Sequence, residues 1–232
     1  VKATHHPQRT ETGIGALIPW AERLWFVTYV AHKSPSGGGT GLFTVDDHMN
    51  IAKHPASVVG TYANRMIHKE SDQCIIGPHI IDTGGNVRTF TDLIDIRITG
   101  TARHLTDAEN LVYMLGMEGE LYEANVHTLE CRLIAELTDE LYVSGKGPAH
   151  FKDIFCNHGK IFVVNNSYYT KDFEAGESEG RLATWEGPGS EWTILDKTQY
   201  NTLAGRIAGA LGDAVYAVGQ DRASAILKTY EP

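Results

Sequence analysis

Arg65-Met66-Ile67-His68-Lys69-Glu70-Ser71-Asp72-Gln73-Cys74-Ile75-Ile76-Gly77-Pro78-His79-Ile80-Ile81-Asp82-Thr83-Gly84-Gly85-Asn86-Val87-Arg88-Thr89-Phe90 decides the fold class. It reads as four short strands, 65–67, 74–76, 79–82 and 87–90, broken by polar or glycine-bearing turns. The Thr83-Gly84-Gly85-Asn86 turn is hairpin chemistry, because Gly and Asn accept the positive φ that tight turns require. Four runs this short, joined this tightly, have the size and shape of one blade of a β-propeller.

Comparable units lie on both sides. Ala16-Leu17-Ile18-Pro19, Leu24 to Val30 and Gly41 to Val45 form one; Leu111 to Met114 and Glu120 to Val126 another. Lys160 to Val164 with Arg181 to Trp185, and Ala214 to Val218 with Ala223 to Leu227, supply two more. Taking the leading strands to start near residues 24, 74, 111, 160 and 214 gives steps of about 37 to 54 residues. The turns Asp107 to Asn110 and Asn157-His158-Gly159 fit hairpins. The strongest helix candidate is Thr198 to Leu211, weakened by Gly205 and Gly209. The fold expected is all-β, a β-propeller of about five blade-like units forming a single domain over residues 1–232, with a β-sandwich as competitor. An open ring exposes an edge strand and an apolar face. Closure is therefore expected either from an N-terminal strand within residues 1–12 or from a second chain or homo-oligomer completing a larger ring.

Composition narrows the function. A net charge of −9 argues against a nucleic acid held by a broad basic surface. The longest apolar run is far short of the ~20 residues of a membrane helix, so no membrane partner is expected. Cys74, Cys131 and Cys156 form no CxxC pair and read as buried thiols. No HExxH, zinc spacing, acidic calcium loop, nucleotide fingerprint or GxSxG elbow appears, and Asp46-Asp47-His48 reads as a solvated turn, so neither metal nor cofactor is expected.

The chemistry-bearing residues recur at one place in the repeat. Asn64, Arg65, His68, Lys69 and Gln73, then Arg103 and His104, then His150 and Lys152, occupy polar segments beside apolar strands. Cations recurring at one point of a repeated β unit are expected to converge on a common centre, an anion pocket for which an acidic sugar is the expected ligand. Arg65 and His68 fall on opposite faces of an extended strand, so a turn must intervene if both serve one site. Of adjacent Arg103 and His104, only one need face a pocket. His150 and Lys152 share a face at i, i+2. Asn165 and Asn166 end an apolar strand, where amides bind sugar hydroxyls. His32 follows an apolar strand in a Gly/Ser loop, a position where β scaffolds place functional residues.

Three stretches carry a family resemblance: Asn64 to Gln73 with Ile76-Gly77-Pro78, Thr99 to Asp107, and Gly119-Glu120-Leu121-Tyr122-Glu123. Over residues 14–170 the chain resembles the seven-bladed β-propellers that act on the L-rhamnose–α-1,4–D-glucuronate linkage of arabinogalactan and gum arabic, namely rhamnose–glucuronate lyases and related α-L-rhamnosidases. Where that family has a Tyr-His-Gly-Lys-like string, this chain has Ala149-His150-Phe151-Lys152. The resemblance implies that His32 is catalytic and that Arg65, His68, Arg103, His104 and His150 line a central pocket. In a β-elimination, His32 or His68 would serve as base or acid, and Arg65 or Arg103 would neutralise the uronate carboxylate. Hydrolysis is the alternative, although no carboxylate pair of the usual ~5–9.5 Å separation stands out. A non-catalytic glycan- or protein-binding propeller is the third reading; its per-blade Trp/Asn/Asp sets are not found. A glycan substrate implies a secreted or periplasmic protein, with no signal peptide visible.

Overall fold

The computed structural model describes residues 12–30, 40–141, 149–167, 180–198, 200–205, 214–220 and 225–231. These residues are all-β apart from one helical turn, α1 (Leu137–Leu141), and a short 3-10 segment at Thr91–Leu93. Five antiparallel meanders follow one another. The first is β1 (Thr12–Trp20), β2 (Arg23–Val30), β3 (Gly41–Val45) and β4 (Ile51–Lys53). The second is β5 (Arg65–His68), β6 (Gln73–Ile76), β7 (His79–Ile81) and β8 (Val87–Thr89). The third is β9 (Ile98–Arg103), β10 (Leu111–Gly116), β11 (Glu120–Asn125) and β12 (Cys131–Glu136). The fourth is β13 (Ala149–Asn157), β14 (Lys160–Ser167), β15 (Arg181–Trp185) and β16 (Thr193–Asp196). The fifth has three strands, β17 (Tyr200–Gly205), β18 (Val215–Gln220) and β19 (Ala225–Tyr230).

The first strands of successive sheets are neighbours: β1 meets β5, β5 meets β9, β9 meets β13 and β13 meets β17. Between the sheets lie apolar layers. One, with Trp25, Val27, Ile75, Ile80, Ile98 and Val112, joins the first three sheets. A second, with Tyr113, Leu121, Phe151, Ile161 and Val163, joins the third and fourth. A third, with Phe162, Val164, Leu182, Tyr200 and Val215, joins the fourth and fifth. Second strands are therefore covered on both faces in the first four sheets: Trp25 to Thr28, Cys74 to Ile76, Val112 to Leu115 and Ile161 to Val164 are all buried. β18 is covered on one face, and its Val218, paired with Leu227 of β19, is exposed.

That pattern corrects the phase of the repeat. The runs beginning near 24, 74, 111, 160 and 214 are second strands, β2, β6, β10, β14 and β18, and not leading ones. Burial on both faces makes a strand continuously apolar and hence conspicuous. First strands, half-facing a polar space, are harder to see. The helix expected over Thr198 to Leu211 is also corrected, because Tyr200–Gly205 is β17, paired antiparallel with β18. The β-branched Thr202 favours extended pairing there, and Gly205 weakens the helical alternative.

Turns are closed by side chains. Asp46 Oδ1 accepts the backbone N–H of His48 at 3.0 Å and of Asn50 at 2.8 Å, and its Oδ2 accepts the Asn50 amide at 2.9 Å. Asp82 does the same with Gly84, Asn86 and the Asn86 amide, each at 2.9 Å. The two hairpins β3–β4 and β7–β8 thus use one Asp-x-x-x-Asn device. The β13–β14 hairpin turns at His158 and Gly159, with φ of 51° and 69°. Close approach between sheets rests on glycine in β1: Gly15, at a bulge, lies against the Tyr62 carbonyl, where an added Cβ would overlap. Phe151, where the family string has Gly, is wholly buried and packs over Gly119, whose φ of 109° excludes most residues.

Candidate functional site

The first strands of the second to fifth sheets line a cavity of about 690 Å³. Its wall comes from Ala63 to Ile67 with Lys69 and Glu70, from Thr99 to Arg103 on β9, from Lys152 to Cys156 on β13, and from Thr202 and Leu203 on β17. Four cationic side chains, those of Arg65, Lys69, Arg103 and Lys152, line this one space together with two carboxylates, Glu70 and Asp153. Among the expected site residues, the structure brings Asn64, Arg65, Lys69, Arg103 and Lys152 together here.

Strand geometry explains the selection. Along β5, Arg65 and Ile67 are exposed toward the cavity while His68 is buried, so the expected opposition of Arg65 and His68 holds. Along β9, Arg103 lines the cavity and the adjacent His104 turns into the protein. The expected pairing of His150 with Lys152 on one face is altered by a bulge: Phe151 pairs with Asn165 and Asp153 with Val164, leaving Lys152 as the extra residue. Lys152 lines the cavity, whereas His150, opposite Asn166, does not. Asn165 and Asn166 are buried on β14 and lie outside the cavity wall. His32 lies outside the described residues.

Three expected site residues have structural partners instead. The fully buried His68 has its Nε2 at 2.8 Å from the Ala108 carbonyl and its Nδ1 at 2.7 Å from Ser71 Oγ. A carbonyl can only accept, so Nε2 carries the proton and Nδ1 receives the Ser71 hydroxyl. Burial lowers the His68 pKa below the ordinary histidine value, consistent with a neutral ring. The Gln73 amide donates to Ser71 Oγ at 2.8 Å, and its carbonyl oxygen accepts from Arg88 at 2.7 Å. His104 Nδ1 accepts the Asp107 N–H at 2.9 Å, its Nε2 lies 3.2 Å from Glu123, and its ring stacks on Tyr113 at 4.5 Å. None of these three lines the cavity.

The cavity's charges differ in how they are held. Arg103 Nε ion-pairs with Glu70 Oε1. Among the described residues, neither Arg65 nor Lys69 forms an ion pair. Asn64, at 2% exposure, donates its amide to the Gly77 carbonyl at 2.9 Å and to Thr101 Oγ1 at 2.8 Å, which ties the second sheet to the third beside Arg65. Asp153 was not anticipated from sequence. Its carboxylate accepts from Leu203 N at 2.9 Å and Thr202 Oγ1 at 2.8 Å, fastening β13 to β17, and from Ile154 N at 2.9 Å. Burial pushes the Asp153 carboxyl up against the opposing pull of these donors and of Arg65. Its sequence signal is one acid within Phe151-Lys152-Asp153-Ile154-Phe155, at the bulge. Cys156 also lines the wall, with its thiol pushed up to about 11 by burial and therefore protonated near neutrality. The other two thiols, Cys74 and Cys131, are likewise free.

Elsewhere, ligand atoms of Asp46, Asp47 and His48 lie within 4.8 Å of one another on an exposed hairpin. The Asp46 carboxylate already closes that turn, as expected of a solvated loop. No helix of the described residues is long and apolar enough to cross a membrane.

No family model and no curated protein matches the chain. Among solved structures, the extracellular domain of a putative hybrid two-component system from B. thetaiotaomicron is similar, with a TM-score of 0.51 at 10% identity over 98% of this chain. A structural genomics protein of unknown function from Bacteroides thetaiotaomicron gives a TM-score of 0.47 at 10% identity over 90% of this chain. This chain spans 28% of the first of those chains and 51% of the second. The first likeness concerns the fold alone.

Proposed function

We propose that the five sheets are successive blades of a β-propeller, and that the cavity lined by the first strands of the second to fifth sheets binds the carboxylate of an acidic saccharide. One observation carries this reading: Arg65 and Lys69, Arg103, and Lys152, from three parts of the chain, line a single cavity in a protein of net charge −9. Cations gathered against the overall charge mark a place where an anion is held. The size of the cavity, about 690 Å³, is that of a site for a small oligosaccharide.

The resemblance extends the proposal to the L-rhamnose–α-1,4–D-glucuronate linkage and to β-elimination. A base takes the C5 proton, the electrons form the C4–C5 double bond, and the C4–O bond breaks as the leaving oxygen is protonated. Arg65 and Arg103 would hold the carboxylate and offset the charge that grows on it. The base would be His32, which the resemblance implies and which lies outside the described residues; no histidine lines the cavity among the described ones. Hydrolysis has less support. Of the two carboxylates in the wall, Glu70 is committed to Arg103 and Asp153 to the β17 backbone. A protein acting on such a glycan belongs outside the cytoplasm.

The test is incubation with gum arabic. Rhamnose released together with new ultraviolet absorbance supports elimination, and rhamnose without absorbance supports hydrolysis. Binding of glucuronate with no product reduces the function to recognition. Failure to bind glucuronate removes the acidic-saccharide reading altogether.

A further inference from the structure

Glu70 is an odd residue to find in the wall of an anion site, since its charge opposes the ligand's. Its geometry supplies a reason. It binds Arg103 through Nε alone, and no other hydrogen bond is made by that guanidinium among the described residues. The two terminal nitrogens of Arg103 thus remain as a planar donor edge, the edge that grips a carboxylate in two-point fashion. An arginine on a flexible stem loses side-chain freedom when it binds, and a partner at Nε removes that freedom beforehand.

Glu70 is itself held in place. It sits in the turn between β5 and β6, two residues after His68. Behind the turn runs a chain of donors: Arg88 to Gln73, Gln73 to Ser71, Ser71 to His68, and His68 to the Ala108 carbonyl. His68 Nε2 lies 3.7 Å from Glu70 Oε2. Burial disfavours the Glu70 charge, yet its own backbone N–H and Arg103 hold the carboxyl below the usual carboxylate range.

We propose that Glu70, braced by the His68–Ser71–Gln73 chain, is a positioning residue that presents the terminal edge of Arg103 to the ligand's carboxylate. This rests on the acidic-saccharide reading above. Glu70 does not compete with the ligand; it takes the one guanidinium nitrogen that a two-point grip leaves over. His68 and Gln73 then contribute to binding without touching the ligand.

The test is titration of wild-type protein and variants with methyl glucuronide, and with methyl glucoside as a neutral control, by calorimetry or ligand-observed NMR. Glu70→Gln should weaken glucuronide binding about tenfold, the scale of one lost charge-assisted contact, and leave the neutral sugar unchanged. Arg103→Lys has no Nε to be held and no planar edge to present. In that background Glu70→Gln should therefore cost almost nothing, giving a coupled double-mutant cycle. A merely structural Glu70 would weaken both sugars alike and show no coupling to Arg103. Glucuronide binding unchanged or tightened by Glu70→Gln overturns the proposal while the saccharide reading stands. A wild-type protein that ignores glucuronide overturns both.

Discussion

His79 offers the sharpest link between this fold and a measurable quantity. It lies on β7 with no exposed surface, its Nδ1 at 3.0 Å from Thr89 Oγ1 and its Nε2 buried with no partner among the described residues. Burial, with a smaller push from His54, depresses its pKa from the ordinary 6.5 to about 4. An unfolded chain therefore binds a proton at this residue across a window in which the folded chain does not. The stability that His79 contributes is full above its ordinary pKa and is lost as pH falls through that window. Between about pH 7.5 and about pH 4.5 the loss amounts to about 2.5 kcal/mol. Urea unfolding of wild type and His79→Asn at those two pH values isolates it. Other acid-sensitive groups, among them His68 and the paired carboxylates, act in both proteins and cancel in the difference. The variant should start less stable and then lose about 2.5 kcal/mol less than wild type on acidification. Equal losses in the two proteins would refute the reasoning, because they would mean that His79 reaches water or a proton acceptor when folded.

Other perturbations read other parts of the structure. Gly15→Ala forces β1 away from the Tyr62 carbonyl and should destabilise by about 1–3 kcal/mol, seen as a lower urea midpoint. Asp153→Asn keeps the volume but loses an acceptor facing Leu203 and Thr202, at a cost of about 1–3 kcal/mol. Hydrogen exchange should localise that loss to β17 and β18, and uniform exchange would disprove the fastening. Arg65→Ala should weaken glucuronide binding about tenfold with no change in melting temperature, because Arg65 is exposed and makes no ion pair among the described residues.

The fold was legible where burial is two-sided. Cys74-Ile75-Ile76 and Ile161 to Val164 announce themselves as apolar runs, and the Gly84-Gly85-Asn86 turn fixes the hairpin after them. What those runs hide is the order of strands, since Arg65–His68 and Ile98–Arg103 open their sheets with mixed, half-polar sequence. Tyr200–Gly205 misleads for a related reason: a short strand with few apolar residues offers helical spacing as readily as alternation. The site was legible in its cations. Alternation alone separated Arg65 from His68 and Arg103 from His104. It failed at Lys152, where a bulge shifts the register, and at Asp153, whose partners Thr202 and Leu203 lie far along the chain. His68 and Gln73 have residue types suited to catalysis, but their partners, a carbonyl and a serine hydroxyl, are set by tertiary contacts.

The division between first and second strands separates the side chains that line the cavity from those that keep the protein folded. Cavity side chains at Arg65, Ile67 and Arg103 protrude from strands whose sheets are anchored one step outward, by residues buried on both faces. Exchanging the protruding side chains changes the charge and shape of the cavity while the apolar layers between sheets stay intact. A scaffold organised in this way can remodel its cavity by small, separable changes, one strand at a time.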